Sequence, residues 1–467
     1  MQQTTLSLHS PVIAERKGRA DRGKGIEPKQ GLEIKTNQSG PTLLPFQVAA
    51  AQLMVEDAFH GGSLNADEMG LGKTAVTIAA INTLNPPEPV LIVSPASLVE
   101  NWKREWTTWA LPELPLPLFI NYEKLRKLVQ TYFPVIVFDE SHYIKNNEAQ
   151  RTQIALSLEA RVRYFLTGTP ILNRPVEIFT AINAIRPGAF GSFIDFTKRY
   201  CKGRWWNGEW IAEGATNLDE LQDKLYATCL IRRTKAKCLT NLPPKTQETI
   251  RITPNDETRQ KISEYKETAD RYKRDLNDLY RQIAKCKMIV HKRPLLSDAN
   301  RLQNEANRNL HPARILAAEA KLPRVIALVE QLRKKGEPVV VYCIHQQIYR
   351  TLYAHFKGRK FRVASISQQT NPKQRQEAVD RFQTGGAFIF LATIGTASSG
   401  VTLTAARHLI LAELDWSPGN MQQTEDRIWR IGQTKPVTIH RFILEDSLDE
   451  GMLDLLERKE TVIEEAL

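Results

Sequence analysis

Cysteine is scarce, with five in 467 residues, and the nearest two, Cys229 and Cys238, are too far apart for a CxxC metal or redox pattern. That excludes a disulfide scaffold and leads us to expect reduced, mostly buried thiols. Long apolar runs are missing as well. Pro89–Pro95 and Val339–Ile344 are far short of the roughly 20 residues that cross a bilayer, so no membrane partner is expected. The opening stretch Met1–Ser10 is polar and lacks an apolar h-region, so no secretory signal is expected. The expected location is the cytoplasm of a prokaryotic or virus-infected cell, or the nucleus of a eukaryotic one. No repeat of solenoid period is found.

Apolar and charged residues are present in ordinary proportion, 42% and 25%, so the chain can bury real cores and is not disordered throughout. Its length suggests roughly three domains. Lysine and arginine number 64 against 52 acids, a net +12 that suits a polyanionic partner without requiring one. The excess is uneven. Residues 271–310 hold ten basic and four acidic residues, which is half of the net charge. That segment is either a solvated helix face or a surface for nucleic acid.

Residues 1–40 are polar, show no hydrophobic period and are expected to form a mobile basic tail. From Leu43 onward, a helix at Pro45–Phe59, a glycine-rich loop and a helix at Lys73–Leu84 are expected. Strand-like runs follow at Val90–Ser94, Leu118–Asn121, Val135–Asp139 and Tyr164–Thr167, separated by helical stretches. This alternation predicts a parallel sheet with helices on both faces. Residues 176–235 read as mainly helical, with a protrusion at about 186–235. The charged stretches 254–290 and 298–335 read as helices divided at Pro294. Strand-like runs return at Val339–Ile344, Phe361–Ser365, Ala387–Thr393, His408–Glu413 and Val437–Phe442. The expected α/β organisation is a first lobe over 41–245, a helical linker over 246–319 and a second lobe over 320–467.

Three segments carry chemistry. Asp67-Glu68-Met69-Gly70-Leu71-Gly72-Lys73-Thr74 stands between a glycine-rich turn and a helix. Successive N–H groups of such a loop, at Gly70 and Gly72, can cradle phosphates. Lys73 would neutralise the terminal phosphates of ATP and the Thr74 hydroxyl would ligate Mg2+. The strict phosphate-loop pattern fails at its first position, where Asp67 replaces glycine. Val135–His142 is a buried strand that ends in Asp139 and Glu140, where a doubly wound sheet holds its ligand. Asp139 would hold Mg2+ and Glu140 would activate the attacking water. In Gln423–Gln433, Arg427 and Arg430 are three residues apart on one helix face. Together they could reach a γ-phosphate, or they could simply pair with Glu425 and Asp426.

In this order the segments resemble the Swi/Snf family of helicase-like, ATP-driven DNA translocases in helicase superfamily two. The resemblance runs from about Leu43 to the C-terminus. It implies two RecA-like parallel-sheet lobes with helical insertions between them. Leu44-Pro45-Phe46-Gln47 is similar to the adenine-reading element, with Gln47 on the base, and Gln423 falls on a nucleotide-contacting position. Val93-Ser94-Pro95 with Asn101-Trp102, and Asn121-Tyr122, are similar to the first nucleic-acid-contacting motifs. Leu166–Pro170 is similar to the element that couples nucleotide state to lobe closure, through Thr167 and Thr169. Leu230–Lys235 and Leu242–Lys245 are similar to the link towards the second lobe. Gly400–Thr404, Trp416–Pro418 and Gln423–Gln433 are similar to the closing motifs, which places Ser94, Asn121, Thr402 and Trp416 on DNA. At Ile366–Thr370 the chain departs from the family, with Gln368 in place of its usual glycine.

The wording of Asp139–His142 and Thr169–Pro175 is closest to the annealing-helicase branch, which rewinds DNA and remodels forks. The resemblance implies ATP and Mg2+ as cofactors, double-stranded DNA as partner, no required oligomer, and translocation without conventional strand separation. Three alternatives stay open: an RNA-directed motor, a motor on RNA polymerase, and a nucleic-acid binder with a silent ATP site. Gln3-Thr4-Thr5-Leu6-Ser7-Leu8-His9 also resembles a bacterial sliding-clamp docking peptide, with Gln3, Leu6 and Leu8 as anchors.

Overall fold

The apolar runs become strands buried on both faces, and the helical stretches between them supply the crossovers that parallel pairing needs. The computed structural model describes residues 31–466 apart from 129–130, 172–173, 207–208, 286–288 and 398–400, and omits some side chains of the long helices. The first sheet holds β1 (Gly62–Asn65), β2 (Leu91–Ser94), β3 (Leu118–Asn121), β4 (Tyr132–Asp139) and β5 (Glu159–Leu166). A small antiparallel hairpin, β6 (Arg204–Trp206) and β7 (Glu209–Ile211), stands apart from it, and β8 (Leu230–Ile231) returns to the sheet. The strand order is β3-β2-β4-β5-β1-β8. The second sheet holds β9 (Lys245–Ile252), β10 (Val339–Cys343), β11 (Val363–Ile366), β12 (Ile389–Thr393), β13 (His408–Leu411) and β14 (Val437–Leu444), in the order β11-β12-β10-β13-β14-β9. Every pairing within both six-stranded sheets is parallel.

Apolar cores cover both faces of each sheet. In the first lobe Phe138 and Phe165 face one side, and Val137 and Tyr164 face the other. In the second lobe Val340 and Leu409 oppose Val341 and Ile410. Adjacent residues of a strand point to opposite faces, so a sheet covered on both sides needs continuous apolar runs.

Four expectations change. The expected tail does not extend to residue 40, because Leu32 and Ile34 pack on the first lobe and the Leu32 carbonyl accepts from Gln52 Nε2 at 2.7 Å. Asn37 Nδ2 likewise donates to the Thr108 carbonyl at 3.1 Å. Gln3, Leu6 and Leu8 lie outside the described residues. The stretch 176–235 is less helical than expected, since it contains both the hairpin and β8. The linker expected from 246 begins instead as β9, which pairs with β14 from Lys245↔Val437 to Ile252↔Leu444. Its alternation is masked by charge, because β9 is an edge strand with exposed Gln247 and Glu248. Finally, Pro294 divides nothing. The helix Ile289–Lys334 runs through it and through Pro323. Each proline removes one backbone donor and leaves the rest of the ladder. The helix packs along the helix Asp256–Lys285, and around Pro323 its Leu322, Val325 and Val329 are buried in the second-lobe core.

The described cysteines Cys201, Cys229 and Cys343 are buried, Cys238 is half-buried, and all four are free thiols. No described helix is long and apolar enough to cross a membrane.

Candidate functional site

Strand register brings the three expected phosphate-handling segments to one edge. Asn65 of β1 and Asp139 of β4 both pair with Leu166 of β5, so the loops after the three strands leave the sheet at the same level. Those loops carry Asp67–Lys73, Glu140 and Thr167–Thr169. Gly70 and Gly72 have φ of +88° and +84°, a region that side chains rarely adopt. A Cβ on Gly70 would stand 2.9 Å from Arg430 Cβ, and one on Gly72 would overlap the Gln47 amide. Gln47 donates to the Leu71 carbonyl at 3.1 Å and accepts from Leu44 N–H at 2.9 Å. It therefore braces the phosphate loop from the expected adenine side.

Lys73 opens the helix Lys73–Leu84 with Thr74 beside it. Its ammonium donates to the Asp67 carbonyl at 2.7 Å. Burial pulls the Lys73 ammonium below its ordinary pKa, against the opposing pull of Glu140, Asp67, Asp139 and Asp426. Asp139 accepts from Trp102 Nε1 at 2.7 Å, and its carbonyl accepts from Tyr122 Oη–H at 2.7 Å. Burial and the neighbouring Glu140 push the Asp139 carboxyl up to about 7, although Trp102 and Lys73 pull the other way. Glu140 is held below the usual carboxylate range. Burial opposes this, and the His142 ring together with the charges of Lys73 and Arg427 outweighs it. His142 Nδ1 is 3.4 Å from the Glu140 carboxylate.

The second lobe closes the site. Gln423 Nε2 donates to Thr169 Oγ1 at 3.2 Å, across the lobes, and Thr169 N–H donates to Thr167 Oγ1 at 3.1 Å. Arg427 is buried, at 2% exposure. The Arg430 guanidinium is pulled down to about 10 by burial and by Arg427 beside it. The expected helix face is not there, because the helix Pro418–Glu425 ends before both arginines; they lie in the turns that follow it, Arg427 buried and Arg430 half-buried. Glu425 does not serve them either, since it accepts from Lys245 at 2.8 Å and Arg441 at 2.9 Å.

A cleft of about 790 Å3 opens between the lobes, with Asn101 and Arg104 on one wall and Thr370, Lys373, Arg375 and Thr402 on the other. Ser94 and Asn121 are register partners at the sheet edge. Ser94 is buried and its hydroxyl donates to the Pro95 carbonyl at 3.3 Å, while the Asn121 carboxamide accepts from Lys124 N–H at 3.1 Å. Trp416 is 40% exposed, with the Arg314 guanidinium 5.6 Å from its ring centre. Leu403 N–H donates to the Arg427 carbonyl at 2.9 Å, so the Thr402 segment is bonded directly to the arginine segment. Gly400, Leu172 and Asn173 lie outside the described residues.

The family model described as SNF2-related domain matches residues 46–131 and 118–308, and that described as Helicase conserved C-terminal domain matches 320–432. The chain belongs to the SNF2-related family.

Among SNF2-related proteins, the chain is 31% identical over 482 residues to the SWI/SNF-related matrix-associated actin-dependent regulator of chromatin subfamily A-like protein 1 of Drosophila melanogaster. That alignment covers 97% of this chain and 58% of the relative. It is 30% identical over 465 residues to the DNA annealing helicase and endonuclease ZRANB3 of Homo sapiens, covering 92% of this chain and 41% of that one. The chain thus spans about half the length of the curated relatives it matches. A solved Sulfolobus solfataricus SWI2/SNF2 ATPase core in complex with dsDNA aligns at 24% identity and a TM-score of 0.42, covering 93% of this chain and 94% of that one.

For this SNF2-related chain, sequence reasoning missed two roles. Trp102, expected within a nucleic-acid motif, is buried and orients Asp139. Arg233 is 1% exposed and pairs with Asp67, the residue that breaks the phosphate-loop pattern: Arg233 Nε donates to Asp67 Oδ1 at 3.0 Å. The available signal is Arg232-Arg233 within the segment Leu230–Lys235, and only the pairing of β8 with β1 shows that Arg233 meets Asp67.

Proposed function

We propose that the chain is an ATP-driven motor on double-stranded DNA, acting in fork remodelling or strand annealing. The observation that carries this reading is the complete set of Lys73, Asp139 and Glu140 on one lobe, with Arg427, buried, and Arg430, half-buried beside Gly70, set against it from the other. A silent site would have lost part of that set. The second cleft, lined from both lobes, gives the motor a track whose width changes when the lobes move. ZRANB3 is by name a DNA annealing helicase, which supports the same class of substrate here.

Mg2+ fits the donors. No group of three or more His, Cys, Asp or Glu that could hold a metal occurs among the described residues. Mg2+ bound with a nucleotide needs only one or two protein oxygens, the rest coming from phosphates and water. Thr74 and Asp139 would hold it, and a cation would offset the burial that pushes the Asp139 carboxyl up. When bound, it neutralises charge on the phosphates.

The chain's own residues do the rest. The Gly70–Gly72 turn presents N–H groups to the phosphates, and Lys73 adds a point charge. Glu140, kept ionised by His142, Lys73 and Arg427, accepts the proton of the attacking water. Arg427 and Arg430 meet the charge that develops on the transferred group. The Gln423–Thr169 bond and the Leu403–Arg427 bond carry a change at the nucleotide to Thr402 in the DNA cleft. Gripping through phosphates makes the grip independent of base sequence.

The test is ATP turnover by the full chain with duplex DNA, forked DNA, single-stranded DNA or RNA. Duplex or fork stimulation is expected to exceed the others. Equal rates with and without nucleic acid, or stimulation by RNA alone, would remove the proposal.

A further inference from the structure

A lysine with no solvent contact lies between the lobes, outside the residues that handle phosphate. Lys235 is 0% exposed. Its ammonium donates to Asp426 Oδ1 at 2.5 Å and to the Trp429 carbonyl at 2.7 Å, and it stands 4.8 Å from the Trp429 ring centre. Asp426 and Trp429 flank Arg427 and precede Arg430 in the second lobe. Lys235 itself belongs to the first lobe. It follows β8, and its backbone N–H donates to Glu68 Oε2 of the phosphate loop at 2.7 Å. Three residues before it, Arg232 Nη1 donates to the Ala66 carbonyl at 3.1 Å, and Arg233 holds Asp67. The strap 232–235 is thus fastened to the phosphate-loop segment through the Arg232 and Arg233 side chains and the Lys235 backbone, and to the arginine segment through the Lys235 ammonium.

We propose that the Lys235–Asp426 pair is a latch between the lobes that positions Arg427 and Arg430 over the phosphate loop. The proposal rests on the ATPase reading above. A buried ion pair contributes little net stability, because stripping water from both charges offsets most of their attraction, but it tolerates only a narrow geometry. With one partner on each lobe, that geometry exists only when the lobes are shut. Asp426 is also held by Gln422 Nε2 at 3.0 Å, so its carboxylate is fixed within its own lobe before Lys235 reaches it. Burial lowers the Lys235 pKa and Asp426 opposes this, as expected of an ammonium that depends on its partner. Lys235 and Asp426 are positioning residues, since they act through the neighbouring arginines.

The test uses the full chain with duplex DNA and ATP, comparing wild type with Lys235→Met, Asp426→Asn and the two combined. Each single change is expected to lower kcat by about tenfold or more while the KM for ATP moves by less than about threefold. The combined change is expected to lose no more than the worse single change, because both remove one interaction. Solution scattering without nucleotide should show a larger radius of gyration for all three variants. Wild-type kcat in both single variants, wild-type kcat in the combined variant, or losses that multiply would each overturn the latch. If Lys235→Met does not fold, the isosteric Asp426→Asn decides by the same split of kcat from KM. A wild-type chain without ATP turnover would remove the ATPase reading instead, and the scattering comparison, which needs no turnover, would still decide the latch.

Discussion

Glu140 occupies the left-handed region at φ +50°, which is uncommon for a residue with a long side chain, and it does so at the end of β4 where the attacking water would stand. Its charge and its shape are separable. Glu140→Gln keeps the shape and removes the base, so hydrolysis is expected to fall by about 10²–10⁴ while ATP binding, followed with a fluorescent nucleotide, remains. Lys73→Ala should abolish both, with the melting temperature of either variant near wild type. Arg427→Ala and Arg430→Ala are expected to lower kcat by about 10²–10³ with little change in ATP affinity, because they act on charge that appears only in the transition state. Steady-state kinetics beside equilibrium binding separates these outcomes. Asp67 behaves differently. It is fully buried against Arg233, so Arg233→Met leaves an uncompensated carboxylate and should cost about 3–5 kcal/mol in chemical denaturation.

Elements meet the site through their ends. β1 is only four residues long, and it begins at Gly62, whose φ is +120° and whose missing side chain lets the Arg163 carbonyl approach. Gly62→Ala would force β1 away from β5 and disturb the loop that leads to Lys73. A loss of about 3 kcal/mol is expected, read as a lower denaturation midpoint with unchanged slope. β9 shows the opposite case, an element whose own sequence argues against its state. Lys245-Thr246-Gln247-Glu248 has little apolar content, yet it completes the second sheet because Lys245 reaches the buried Glu425 and the backbone pairs with β14 along its whole length. A strand that is selected by its neighbour is invisible to periodicity.

At the scale of the whole molecule, two clefts lie between the same two lobes. The nucleotide cleft is tied to the cleft of about 790 Å3 through the Leu403–Arg427 bond and through Gln433, which donates to the carbonyls of Thr404, Ala406 and Ile428. If that cleft holds duplex DNA, Arg104→Ala, Lys373→Ala and Arg375→Ala should each flatten the salt dependence of duplex binding by about one unit of slope. Lys285, Lys287, Lys292 and Arg293, in the basic stretch 271–310, lie outside the described side chains. Reversing their charge tests that stretch by the same measurement, and a wild-type slope would leave it a solvated helix face.

The sequence by itself determined the phosphate loop, the strand-end acids, the paired arginines and the alternation that makes two parallel sheets. Each of these is a local pattern: a loop needs glycine where φ is positive, a strand buried on both faces needs an unbroken apolar run, and chemistry needs particular side chains. Tertiary structure decided who meets whom. Register at Leu166 placed Lys73 and Asp139 at one edge. The pairing of β8 with β1 brought Arg233 to Asp67 across 166 positions of chain, and the meeting of the two lobes brought Lys235 to Asp426 across 191. Trp102 passed from a motif for nucleic acid to the partner of Asp139 for the same reason. The helix Ile289–Lys334 ran through two prolines, each of which removes only one hydrogen bond from a helix packed on a neighbouring helix and on the second-lobe core. Such contacts depend on how strands are ordered in a sheet and how two sheets face each other, and no window of sequence contains that order.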